Sequence, residues 1–104
     1  MKLITKELDT KLTKAGYDGE TAIMKLFCPW GSATWIITGR DPEQPDVLYG
    51  VADLGMGCVE AGSIYLPELV KIRHWSGLKI ERDMHFTGGQ TMDELLSRDS
   101  LARF

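Results

Sequence analysis

Three groups of residues in this 104-residue chain have types and spacings that could do chemistry. The first is Glu81-Arg82-Asp83-Met84-His85. In an extended segment Glu81, Asp83 and His85 share one face, and two carboxylates beside a histidine resemble a metal or acid–base cluster. The same spacing suits a solvated edge strand, where charge blocks edge-to-edge aggregation. That structural use is the stronger expectation, with Arg82 pointing the other way, toward Glu68 or Glu94. The second is Glu60, which falls among the small residues Gly50, Ala52 and Gly62 if its strand pairs as set out below. A carboxylate there could serve as an acid or base, or hold an arginine of a partner. A solvent-facing strand, or a register slipped by one residue, makes it an ordinary surface charge, and we favour that plainer reading. The third is the set Cys28, Cys58, His74 and His85. Its spacings match no compact zinc pattern, so no metal and no cofactor is expected. Both cysteines lie in apolar strand patterns and read as buried small hydrophobes. No phosphate-binding loop, dinucleotide fingerprint, nucleophile elbow or H-E-x-x-H helix occurs, and no residue is assigned a catalytic role.

Recognition chemistry is better represented. Trp30 sits in a turn and Trp75 follows a short helix, positions where large aromatics commonly anchor a partner. Folding back over the sheet is the even alternative. Lys71, Arg73, His74 and Trp75 interleave basic and aromatic residues as nucleic-acid binders do, but the run is too short to be specific. Charge is unevenly spread. Residues 41–60 hold Asp41, Glu43, Asp46, Asp53 and Glu60 with no Lys or Arg, whereas residues 1–14 and 71–85 are each mildly basic. An acidic middle could meet a basic partner, including a nucleic-acid-binding protein; a solvated loop is the plainer reading. With a net charge of −3, direct nucleic-acid binding is not expected.

These residues need elements to position them. Thr5 is a plausible N-cap for a helix through about Lys14, with Ile4, Leu8 and Leu12 as its apolar stripe and Gly16 as its stop. Ile23 to Cys28 and Ala33 to Gly39 read as a hairpin turned by Pro29-Trp30-Gly31-Ser32. With Cys28 facing Ala33, the residues Met24, Leu26, Cys28, Ala33, Trp35 and Ile37 share a core face. The other face, holding Lys25, Thr34 and Thr38 among Ile23, Phe27 and Ile36, reads as partly covered. Pro42 and Pro45 mark Arg40 to Asp46 as a loop. Val47 to Leu54 and Cys58 to Leu66 form a second hairpin around Gly55-Met56-Gly57. With Leu54 opposite Cys58, Glu60 joins Leu48, Gly50, Ala52, Gly62 and Ile64 on one face. Pro67 suits the first turn of a short helix to about His74, which Trp75-Ser76-Gly77 stops. Leu78 to Phe86 reads as a short edge strand. Thr91-Met92-Asp93-Glu94 is a capping box for a last helix built on Met92, Leu95 and Leu96. The expected fold is α+β: an antiparallel β-meander of four to five strands with an N-terminal, a short middle and a C-terminal helix.

Composition sets the class. Hydrophobic residues make up 43% and charged residues 26% of the chain, which excludes a disordered tail and a disulfide-dense mini-protein. No apolar run approaches the ~18 residues of a membrane span, and the charged Met1-Lys2-Leu3-Ile4-Thr5-Lys6 opening lacks a signal core. A cytoplasmic single domain over residues 1–104, with reduced thiols and no membrane contact, is expected.

The segment Gly77 to Phe86 reads G-L-x-I-E-R-D-x-x-F and resembles the signature of the domain of unknown function 2958 family. Leu3-Ile4-Thr5-Lys6-Glu7-Leu8, Thr34-Trp35, Tyr49-Gly50-Val51 and Tyr65-Leu66-Pro67-Glu68-Leu69 extend the resemblance, in order, over nearly the whole chain. It implies a small cytoplasmic protein of bacterial plasmids, integrative elements or phages, and carries over no activity and no catalytic residues. Small proteins of such elements often regulate transfer or block host defences, such as restriction or CRISPR nucleases. The expectation is therefore a non-enzymatic protein-binding accessory protein, an inhibitor of a host defence complex of the anti-restriction or anti-CRISPR type. Its partner-binding residues would be Trp30, Asp41, Glu43, Asp46 and Trp75. The alternative is a small enzyme or ligand-binding domain using Glu60 or the Glu81, Asp83 and His85 cluster.

Overall fold

The structure, a computed structural model, describes residues 3–98, 100, 101 and 104. Its element order is α1 (Lys6–Ala15), β1 (Met24–Phe27), β2 (Thr34–Arg40), β3 (Val47–Asp53), β4 (Val59–Tyr65), α2 (Leu66–Lys71), β5 (Glu81–Arg82) and α3 (Met92–Leu96). The strands form one antiparallel sheet in the order β4-β3-β2-β1-β5. This is the expected α+β meander with three helices. Among the described residues no helix is long and apolar enough to cross a membrane.

Local chemistry explains the element ends. The Thr5 hydroxyl accepts from the Leu8 N–H to start α1, and Thr91 with Glu94 closes a reciprocal capping box on α3. Gly16 leaves α1 with φ 73°, a conformation that disfavours a side chain. Its carbonyl then accepts from the Arg40 N–H at 3.1 Å. That approach is so close that a Cβ at Gly39 would overlap the Gly16 carbonyl oxygen. Arg40, itself buried, turns its guanidinium onto Asp9 of α1. The first turn of α2 lacks a side-chain cap, and the Leu66 N–H is satisfied instead by the Asp46 carbonyl at 2.9 Å.

Both hairpins have the expected registers. Leu26 faces Trp35 and Met24 faces Ile37; Leu48 faces Ile64 and Asp53 faces Val59. A shift between Ile37 and Gly39 lets β2 continue against β3 past Thr38. One sheet face carries Met24, Leu26, Trp35, Ile37, Leu48 and Ile64, packed against Leu12 of α1 and Leu69 of α2.

The opposite face corrects the sequence reading. It is covered more fully than the partial cover expected, forming a second core of Ala22, Ile36, Val51, Leu95 and Leu101, so β2 is buried along its whole length. Thr34, Thr38, Lys25 and Asp53 are buried there too. The polar groups of Thr38, Lys25 and Asp53 find partners within the chain, which lets residues that look solvent-facing be buried on this face. Three further expectations shift. Helix α2 ends at Lys71 rather than near His74, because Ile72 is extended and Arg73 bridges Lys79. The edge strand shrinks from Leu78–Phe86 to two residues. Cys58 is exposed, at the edge of the β3–β4 turn, while Cys28 is half-buried against the first core.

Candidate functional site

The two turn-placed tryptophans lie at one end of the sheet, joined by a histidine. Between Arg73 and Lys79 the chain folds on itself: His74 N–H donates to the Leu78 carbonyl and Gly77 N–H to the His74 carbonyl, both at 2.9 Å. Gly77 sits at φ 96° and supplies the turn. The Ser76 N–H donates to His74 Nδ1 at 3.2 Å, which makes that nitrogen an acceptor and fixes the ring. The His74 ring lies 5.3 Å from Trp30 and 5.2 Å from Trp75, tilted to both. Offset rings at such spacing attract one another beyond their area burial.

The ladder is graded in exposure. Trp30 packs partly on the first core, His74 is half-buried, and Trp75 is 93% exposed. A large aromatic with few rotatable bonds buries much apolar area on docking for little loss of conformational freedom, which is the physical basis of an anchor. Beside the ladder a groove of about 580 Å³ is lined by Leu3, Ile4, Leu66, Val70 and Ile80, with Arg73, Lys79 and Glu81 at its sides. Lys71, Arg73 and Lys79 are exposed around it, although the Arg73 guanidinium also caps the Val70 and Ile72 carbonyls at the end of α2.

The acidic loop lies elsewhere. Trp30 belongs to the β1–β2 turn, whereas Asp41, Glu43 and Asp46 belong to the β2–β3 loop at the other end of the strands. Seven residues of β2 separate those ends by about 20 Å. Asp41 shapes its own loop, its Oδ1 accepting from the Glu43 N–H at 2.9 Å and its carbonyl from the Gln44 N–H. The structure thus places Trp30 and Trp75 each beside His74 and leaves the three acids as a separate surface.

The catalytic alternatives come out dispersed. Glu60 lies opposite Ala52, as the register required, and is exposed. Glu81 and Arg82 pair with Phe27 and Leu26, but the strand stops there and residues 83–86 turn. The alternation that would put Glu81, Asp83 and His85 on one face is therefore broken. Glu81 lines the apolar groove, Asp83 pairs with Lys25 at 3.7 Å and receives the His85 N–H, and His85 is exposed. Arg82 donates to the Leu3 carbonyl at 2.7 Å. Among the described residues no three His, Cys, Asp or Glu side chains gather into a set that could hold a metal ion.

Sequence reasoning missed one polar site. A cavity of about 550 Å³ on the second face is lined by Lys25, Thr34, Asp53, Asp83 and Ser100 among others. Asp53 is 2% exposed and accepts from the Gly55 N–H at 2.9 Å and the Leu101 N–H at 3.0 Å. Burial pushes its carboxyl up, but those two donors and the Ser100 side chain outweigh it and hold the group below its ordinary value. The Lys25 ammonium donates to the main-chain oxygen of Phe104 at 3.0 Å. These buried charges thus fasten the C-terminal segment across the sheet. No periodicity signals this, because the partners lie 48 and 79 positions away in sequence.

Fold and surface together define a small α+β protein with helices on both faces of one meander and an aromatic ladder at one end. The chain belongs to the family described as Protein of unknown function (DUF2958), whose model matches residues 2–101. No curated protein and no solved structure matches it.

Proposed function

We propose that this chain is a non-enzymatic binding protein whose partner is another protein, docked on the Trp30–His74–Trp75 ladder. The observation that carries the reading is Trp75, 93% exposed at the tip of a hydrogen-bonded turn and beside the His74 ring. The acidic loop of Asp41, Glu43 and Asp46 acts at a distance, on the rate of encounter with a partner whose surface is basic in part, such as a nucleic-acid-binding protein. The accessory setting is a plasmid, integrative element or phage, and the role is to inhibit a host defence complex of the restriction or CRISPR kind. That setting rests on context and on the binding surface, not on a catalytic residue. A second reading, a ligand-binding domain using neither Glu60 nor Glu81 with Asp83 and His85 as one cluster, draws on the cavity where Lys25 meets Asp83.

Capture from a bacterial host lysate, run in parallel with the parent and Trp75→Ala, discriminates the two. A stoichiometric protein retained by the parent and lost by the variant is the expected result. A co-purified small molecule, retained equally by both, would favour the cavity instead. Changing Asp41, Glu43 and Asp46 together to Lys should slow association and flatten its salt dependence, while dissociation changes little.

A further inference from the structure

We infer that β4 is a self-pairing edge, through which two copies of the chain join their sheets. Strand β4 is the outermost strand on its side, with β3 as its neighbour. Its seven residues run in unbroken register from Val59 to Tyr65, so no bulge twists the edge away. It holds no proline and no lysine, and its only charge is Glu60. Among the described residues no main-chain group from Val59 to Ile64 bonds to anything outside the ladder with β3. Glu60, Ala61, Ser63 and Tyr65 are exposed. The other edge is managed differently: β5 is two residues long, both charged.

Main-chain geometry fixes the kind of occupant. In an antiparallel ladder each residue directs both its N–H and its C=O to one side, and successive residues alternate. The residues of β4 that point away from β3 therefore present donors and acceptors that only another extended strand satisfies in series. For two copies of β4 running antiparallel, outward-pointing residues meet outward-pointing residues, so the twofold axis passes between one residue and its own copy. Full overlap of the seven puts it between the two copies of Gly62. Val59 then faces Tyr65 of the second copy, a β-branched and aromatic pair of the kind that stabilises sheets. Ala61 faces Ser63, and Glu60 faces Ile64, so the two Glu60 carboxylates do not oppose one another. Gly62 brings no side chain to the axis. A contact of this kind is isologous and closes at two copies. This self-complementarity in charge and size is what favours a second copy over a foreign strand.

Sedimentation equilibrium of the unmodified chain across a concentration series is the test. The expected mass rises reversibly from 11.6 kDa toward twice that value. Gly62→Lys should weaken the dimer by about fivefold or more, since like charges would face each other across the axis. The monomer tolerates this change, because a Cβ at Gly62 meets open space and its φ is not positive. Gly62→Thr, uncharged and suited to a strand, should keep the dimer. A constant 11.6 kDa species at every concentration overturns the inference, as does a Gly62→Lys variant that dimerises like its parent. Should Gly62→Lys fail to fold, hydrogen exchange on the parent decides. Alternate amides of β4 must slow as concentration rises, and rates that change only when a foreign protein is added contradict self-pairing.

Discussion

Trp35→Ala is expected to lose about 3–5 kcal/mol of stability, the usual range for truncating a core aromatic. Trp35 is 7% exposed, faces Leu26 on one side and Ala52 on the other, and shares the first core with Leu12 and Ile37. Its strand is the centre of the sheet, with both faces covered, so the vacated space cannot be filled by a loop moving inward. A domain of this size holds only about 5–15 kcal/mol in total. At roughly 4–8 °C per kcal/mol, the midpoint of melting should fall by more than about 12 °C. A variant that melts within a degree or two of its parent would contradict the packing described for β1, β2 and β3.

Asp53→Ala should be nearly as damaging, through polar rather than apolar chemistry. The carboxylate satisfies the N–H groups of Gly55 and Leu101, and Leu101 is wholly buried. Hydrogen bonds to a charged group are worth about 1.5–3 kcal/mol each, and a buried donor left without an acceptor carries its full desolvation cost. A loss of about 3 kcal/mol is expected, with faster hydrogen exchange at Leu101. The direction in pH follows from the carboxyl being held below its ordinary value in the folded chain. The stabilisation is fully present above the unfolded value of about 3.9 and disappears as pH falls through the lower folded value. Denaturant titrations at pH 7 and at about pH 3 should therefore show the gap between parent and Asp53→Asn narrowing in acid. A gap that widens on acidification would mean that the carboxylate is not the tether.

Several features of this structure are legible in the chain because short-range chemistry fixes them. Thr5 and Thr91 mark helix starts through hydroxyls that reach backbone N–H groups three residues on. The register of β3 and β4 follows from Gly55 and Gly57, both at positive φ, flanking a short turn. The second core was not legible, because Lys25, Thr34, Thr38 and Asp53 interrupt the apolar alternation that marks a buried face. Only the docking of Leu95 and Leu101 from the far end of the chain makes that face interior. The aromatic site was half legible. Trp30 and Trp75 each stood out by residue type and turn position, but their common contact with His74 depends on the packing of α2 against the first core and on the turn at residues 73–79. The acidic loop was correctly placed as a loop, yet β2 holds it at the opposite end from the tryptophans.

That Trp75 anchors a partner protein is tested most directly by measuring the affinity of the captured partner for Trp75→Ala beside Met84→Ala. Met84 is the control, 71% exposed and apolar but placed after β5, toward the Met24 end of β1 and away from the Trp30 turn. Neither side chain supports the core, so both variants should melt with the parent. An anchor at the centre of an interface is worth about 2 kcal/mol or more, so Trp75→Ala should bind about 30-fold more weakly or worse. Met84→Ala should bind as the parent does. Equal affinities for Trp75→Ala and the parent, or a loss confined to Met84→Ala, would contradict the anchor.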